Sequence, residues 1–269
     1  MSKIHKTAII EKGAQIDNNV SIGPYCVVGA HVKLEDNVQL KSHVVIENRT
    51  TIGKGTIIFP FASIGHAPQD LKYSGEESEL IIGENNVIRE YVTMNPGTSG
   101  DNMKTLVGNN CLFMASSHVA HDCIIGDNVI LANNATLGGH VHVGDFVILG
   151  GMVAIHQFTK IGSHAMIGGM SGIKNDVPPY TMIISEEPYV AGINIVGLKR
   201  RGFSREDIKN IKRVYDILFS NSQNMVDSIK TIESTFQDNN AVSHILHFLK
   251  LESTRGIAKP KNYYEQLRS

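Results

Sequence analysis

Residues 119–149 read VAHDCIIGDNVILANNATLGGHVHVGDFVIL, and every sixth position from Val119 is large and aliphatic: Val119, Ile125, Leu131, Leu137, Val143 and Leu149. The series extends back through Phe113 to Val107 and on through Ile155, Ile161 and Ile167 to Ile173. An earlier series, in another phase, runs Ile4, Ile10, Ile16, Ile22, Val28, Leu34, Leu40, Ile46, Ile52, Ile58 and Ile64. In a chain that is 42% apolar, each run has a chance probability of roughly 10⁻⁵ to 10⁻⁴. The position four after each large residue is small, as at Ala8, Cys26, Val44, Ala62, Cys111, Ser117, Cys123 and Ala165, with nothing larger than Val.

A period of two puts the small and the large residue on one side of a strand, with one outward residue between them, and leaves three residues for a corner. Glycine often opens that corner, as at Gly23, Gly53, Gly108, Gly126, Gly138 and Gly150, where tight turning favours a residue without a Cβ. Three hexads close a triangular coil, and coils stacked ~4.8 Å apart as parallel strands form a prism about 40 Å long. The fold expected is therefore an all-β solenoid of hexapeptide repeats. The repeat pauses over residues 66–81, after which Ile82, Ile88 and Met94 resume the original phase, and slips by one residue across 95–106. Both stretches read as loops, the usual place for binding functions on a rigid scaffold.

The hexads end at Ile173, before Pro178, Pro179 and Pro188. Ser204 with Asp207 marks a helix start, and Ile208, Ile211, Val214, Tyr215, Leu218 and Phe219 follow helical spacing. Met225, Ile229, Ile232 and Phe236 predict a second helix, and Val242, Ile245, Leu246 and Leu249 a third. The chain thus divides into a β-helix over 1–190 and a small C-terminal helical bundle over 191–269.

With 25 Lys+Arg against 26 Asp+Glu the net charge is −1, which disfavours a whole-surface nucleic-acid binder. No apolar run is long enough for a membrane span, and the first residues lack the apolar core of a leader. Three cysteines, all in inward small-residue slots, predict no disulfide framework, no accessible thiol nucleophile and a cytoplasmic location.

In the hexad frame His118 points outward from a strand, and His121 and Asp122 occupy the exposed corner after it. One coil on, the same corner holds Gly139 and His140, and the next holds Gln157 and Phe158 beside His156. Imidazole suits proton abstraction near neutrality, and an adjoining carboxylate can set its tautomer. A corner without a side chain at Gly139 lets a backbone N–H approach an oxyanion forming beside His121. That is a geometry for acyl transfer. A zinc site on His118, His121, His140 and His156 is a competing reading, but no clear ligand trio is left with a separate base, so no metal and no cofactor are expected. Lys199, Arg200, Arg201, Arg205, Lys209, Lys212 and Arg213 face only Glu206 and Asp207 as counter-charges, a landing site for an anionic partner or a solvated helix face.

The strings His118-Val119-Ala120-His121-Asp122-Cys123, Leu131-Ala132-Asn133-Asn134, Gly150-Gly151-Met152, His156-Gln157-Phe158, Gln69-Asp70-Leu71-Lys72-Tyr73 and Gly197-Leu198-Lys199-Arg200-Arg201-Gly202-Phe203 closely resemble the UDP-N-acetylglucosamine O-acyltransferase family. The resemblance covers almost the whole chain. It implies a left-handed parallel β-helix, a homotrimer with active sites between subunits, and a C-terminal helical domain. The implied reaction, the opening step of lipid A biosynthesis, moves an (R)-3-hydroxyacyl chain from acyl carrier protein to the 3-hydroxyl of UDP-N-acetylglucosamine. By the same resemblance His121 is the general base, Asp122 its orienting carboxylate and Gly139 the oxyanion donor. Asp70, Lys72, His118, His140, His156 and Gln157 position substrate, Asn194, Arg200 and Arg201 contact nucleotide or carrier, and Gly169 limits acyl length. Arg205, Lys209 and Lys212 then read as the patch that steers the acidic carrier.

Val196 stands where many members carry Glu, and Asn95 where some carry His. The sister N-acyltransferase normally has an extra N-terminal domain, for which hexads beginning at Ile4 leave no room. A metal-dependent carbonic anhydrase-like solenoid and a non-catalytic scaffold are the other readings.

Overall fold

The computed structural model describes residues 2–184, 188–220, 224–236 and 239–261; residues 262–269, at the end of the expected helical unit, lie outside the described residues. Each hexad forms a two-residue strand, such as Ser21–Ile22, Val27–Val28 and Lys33–Leu34. Pairing partners lie 18 residues apart, as in Ser21 with Gln39, Val27 with Val45 and Gln15 with Lys33. Among the described residues the strands collect into three sheets of 11, 9 and 8 strands, here called first, second and third in the order the chain visits them. Successive coils place identical slots above one another. Ile22, Leu40, Ile58, Ile88, Phe113, Leu131, Leu149, Ile167 and Ile183 accordingly form one stacked column, each at most 2% exposed. Burial of such side chains, worth roughly 1.5–3 kcal/mol each, drives the stack.

The corners work differently from the expectation. Of the corner-opening glycines quoted above, none has a positive φ; the left-handed residue is the third of the corner and is seldom glycine, as at Asn19, His43, Phe61, Phe146 and Met152 (φ 55–65°). Glycine opens the corner because the next coil is too close for a side chain. A Cβ on Gly53 would lie 2.4 Å from the carbonyl carbon of Gly83.

Both loops are shorter than the pattern suggested. Strands Glu79–Ile82 and Lys104–Val107 reclaim the last residues of each stretch, Glu79–Ile82 in four-residue register with Arg49–Ile52 and Lys104–Val107 in turn with Glu79–Ile82. Leu80 and Thr105 fill the inward slot there, fully buried, and the next inward slot holds Asn86. Leu80 breaks the small-residue rule, and Asn86 brings an amide into the buried column. Asn86 is satisfied inside the core, donating to the carbonyls of Gly83 and Gly108 and accepting from the Cys111 N–H.

The solenoid also runs past Ile173. Val177 bridges Ile161, and Thr181–Ile184 pairs in parallel with Met166–Ile167 before Tyr189–Ile193 adds antiparallel. Pro178 and Pro179 serve as a corner of that last partial coil instead of ending the stack. Four helices follow among the described residues: α1 (Ile195–Arg200), α2 (Arg205–Leu218), α3 (Met225–Thr235) and α4 (Asn240–Lys250). The Ser204–Asp207 capping box forms. At six residues α1 is too short for periodicity to show. Leu198, Ile211, Val214, Leu218, Ile232, Val242 and Ile245 make the second core, with Tyr180 of the solenoid inside it.

Candidate active site

The corners after the second-sheet strands place Ala120–Asp122, Gly138–His140 and His156–Phe158 above one another along one edge of the prism. His121 Nδ1 lies 2.8 Å from Asp122 Oδ2. Asp122 is not exposed as its corner position suggested: it is 2% exposed, because the 95–103 insertion folds over it. The Thr98 N–H donates to Asp122 Oδ1 (2.9 Å) and the Thr98 hydroxyl to Oδ2 (2.6 Å), while the Asp122 N–H donates to Thr105 Oγ1. An ionised carboxylate so deeply placed is tolerable because each oxygen accepts hydrogen bonds. It can only accept, so His121 carries its proton on Nδ1 and presents a bare Nε2. Asp70 Oδ2 stands 3.8 Å from Nε2, too far for a hydrogen bond.

Gly139 packs against this ring. A Cβ there would sit 2.5 Å from His121 Cε1 and 2.6 Å from Nε2, so only glycine leaves the imidazole its place. Among the described residues the Gly139 N–H has no hydrogen-bond acceptor. His140 meets His121 edge-on with centroids 5.0 Å apart, stacks on Phe158 at 4.3 Å, and shares Nδ1 with Asp101 Oδ2 at 3.0 Å. His118, half-buried on its strand, hydrogen-bonds Thr93 Oγ1 at 2.7 Å; burial first, then the neighbouring His121, pushes its pKa down, so it is neutral at physiological pH. His121, Asp122 and His140 offer atoms within 4.8 Å of one another.

His156 and Gln157 are exposed one coil above, and the Gln157 carbonyl accepts from Arg255 Nε, whose guanidinium lies over Phe158. Asp70 sits on the 66–78 insertion, where it accepts from the Lys72 N–H; the Lys72 side chain is exposed. Asn95 donates to the carbonyl of His66 and so ties the root of that insertion to the stack.

The remaining residues lie elsewhere. Gly169 is exposed on the edge between the first and second sheets, close to Gly151 and beside exposed Met170 and Met152. Asn194 and Arg201 sit at the third edge. Asn194, only 4% exposed, caps α1 and donates to the His164 carbonyl, and Arg201 donates to the Phe146 carbonyl. Arg200, Arg205, Lys209 and Lys212 are exposed, as is Val196. Thr98, Thr105 and Asp101 were missed by the sequence reading. Thr105 was recoverable as an inward slot, whereas Thr98 and Asp101 lie in an insertion without periodicity.

The three cysteines are buried and free, and burial pushes the thiol of Cys111 up to about 11 and that of Cys123 to about 12. They are not reactive thiolates.

A family model described as UDP-N-acetylglucosamine O-acyltransferase, domain 2, matches residues 176–258, and one for the bacterial transferase hexapeptide (six repeats) matches 104–139. A relative from Rickettsia canadensis (strain McKiel), named an acyl-(acyl-carrier-protein)-UDP-N-acetylglucosamine O-acyltransferase, is 54% identical over 255 residues, 94% of this chain and 96% of its own. The chain belongs to the UDP-N-acetylglucosamine O-acyltransferase family. Solved structures agree with this membership. A crystal structure of a UDP-N-acetylglucosamine acyltransferase superposes with TM-score 0.93 at 46% identity over 96% of this chain and 99% of that one. The enzyme of Francisella novicida gives 0.93 at 38% identity over 97% and 96%. This O-acyltransferase is thus a left-handed parallel β-helix with a small helical part, and its His121 corner lies within the stretch matched as a hexapeptide transferase.

Proposed function

We propose that this chain transfers an (R)-3-hydroxyacyl group from acyl carrier protein to the 3-hydroxyl of UDP-N-acetylglucosamine, the opening step of lipid A biosynthesis, with His121 as general base. The observation that carries the mechanism is the bare Nε2 of an imidazole whose other nitrogen is held by buried Asp122. The sugar hydroxyl gives its proton to Nε2 as its oxygen attacks the thioester carbonyl. The Gly139 N–H faces the oxyanion so formed. Collapse of the adduct breaks the C–S bond, and the proton returns from His121 to the departing thiolate. No acyl-enzyme is formed, in keeping with the inert cysteines.

Positioning roles for Asp70, His118 and His140 rest on their closeness to His121, and those for Lys72, His156 and Gln157 on the same edge. Exposed Met152 and Met170 beside Gly169 suit an acyl path. The exposed cations Arg205, Lys209 and Lys212, none in an ion pair among the described residues, suit an acidic carrier. We read the assembly as a homotrimer, because the three groups of site residues occupy three different edges of one prism and a neighbouring copy can bring two edges together. The division at residue 190 and a cytoplasmic location, favoured by the free cysteines, complete the reading.

The test is incubation with UDP-N-acetylglucosamine and a panel of 3-hydroxyacyl carrier proteins, with products identified by mass. Wild type is expected to form the O-acylated sugar nucleotide, and His121→Ala to lose about 10²- to 10⁴-fold in kcat while still binding it. A folded His121→Ala enzyme keeping more than about a tenth of kcat would refute the base assignment.

A further inference from the structure

The carboxylate of Asp122 is 2% exposed and takes three hydrogen bonds, two of them from one residue. We infer that Thr98 is a positioning residue of the acyl transfer: its hydroxyl and N–H hold Asp122 in the geometry that keeps His121 Nδ1 protonated and Nε2 bare. This rests on the base assignment above and extends it to an insertion outside the hexad repeat.

A β-helix corner supplies neighbours only from the coils above and below. The coil above gives His140, whose Nε2 is 3.9 Å from Asp122 Oδ2, beyond hydrogen-bond reach. The coil below is interrupted at this corner by residues 95–103, and the interruption delivers the missing donors. Gly97 makes the approach feasible: a Cβ on it would collide with the backbone at Lys104. Thr98 follows at 5% exposure with both donors on Asp122. Its hydroxyl bonds the same Oδ2 that receives His121 Nδ1, so it fixes the direction from which that oxygen meets the imidazole. Thr105 holds the Asp122 backbone from the other side, accepting its N–H at 2.8 Å.

Thr98→Val keeps the shape and the N–H but deletes the hydroxyl donor. It should lower kcat about 10- to 100-fold, the range for losing a charge-assisted hydrogen bond to a buried carboxylate, with both KM values little changed. Thr98→Ser should restore the rate. In an Asp122→Ala background Thr98→Val should cost nothing further, because its effect runs through that carboxylate. If Thr98→Val fails to fold, Thr98→Ser and Thr98→Ala are compared instead, since they differ only in the hydroxyl.

The assignment is overturned if the hydroxyl-less variant stays within about threefold of wild-type kcat, if Ser is as impaired as Val, or if the loss persists undiminished without Asp122. An error in the base assignment shows separately: His121→Ala and Asp122→Ala would then stay active. An error about Thr98 alone leaves those two impaired and Thr98→Val active.

Discussion

At Gly139 the place of a side chain is taken by another residue's ring. Gly139→Ala should therefore act on His121: the added methyl, 2.5 Å from Cε1, displaces the imidazole, and kcat should fall by about 10²-fold, the cost of misplacing a catalytic group by an ångström. Gly139 has no positive φ, so the melting temperature should hold. Gly172→Ala, whose methyl meets nothing within 4 Å, is the control, and steady-state kinetics with thermal denaturation of both variants decide the matter. Left-handed φ at Asp122 (57°) and His140 (60°) is no sign of site strain, because Phe61 and Phe146 share it. It belongs to the corner. Burial under an insertion is what sets Asp122 apart.

Among the elements, the two insertions are clasped by a single carboxylate. Glu76 accepts from the Ser99 N–H on one oxygen and from the Ser74 N–H on the other. Those N–H groups, Ser99 first, hold its pKa down to about 2. Because the folded value lies below the ordinary one of 4.5, the clasp contributes fully above that range and is lost as pH falls through about 2. Amide exchange at Ser99 should thus remain protected at pH 4 and rise toward pH 2, whereas Glu76→Gln should expose it at every pH. Equal protection in the variant would show that the insertions are held some other way. The hexad pattern could place both insertions but not their ends, since Leu80 continues the inward slot only once Arg49–Ile52 is there to pair with, and Thr105 only once Glu79–Ile82 is.

For the whole molecule, one edge of the prism carries a column of rings in contact, Tyr25, His43, Phe61 and Tyr91, with centroids 5.0–5.2 Å apart. Tyr25, Phe61 and Tyr91 are 48–59% exposed, and Met152 and Met170 continue the same edge at 60% and 66%. Ser116 and Asn134 hold the corner slots between Tyr91 and Met152, so this edge carries two exposed apolar patches, and such patches mark an interaction surface. A second copy is the occupant that suits a trimer. The double variant Phe61→Asp, Tyr91→Asp should sediment as a folded monomer and lose activity, whereas wild type should sediment as the proposed trimer. A double variant that stays trimeric would move the subunit interface to another edge.

Much of this was legible in one dimension because a solenoid contacts itself at a constant sequence interval. Eighteen residues separate partners from Ile22 to Leu40 as from Leu131 to Leu149, so the core column, the corner sharing of His121 with Gly139, and the buried cysteines all follow from counting. Ser204 with Asp207 is likewise local, and the capping box forms as read. What required the tertiary structure lies where the interval breaks. Residues 95–103 bring Thr98 and Asp101 onto the His121 and His140 corners, a placement set by where an aperiodic chain folds back and by no spacing within it. The role of glycine at the corner also had to be seen: a Cβ is excluded there by the coil above, at 2.4 Å for Gly53, a distance that belongs to stacking and is invisible in any single turn.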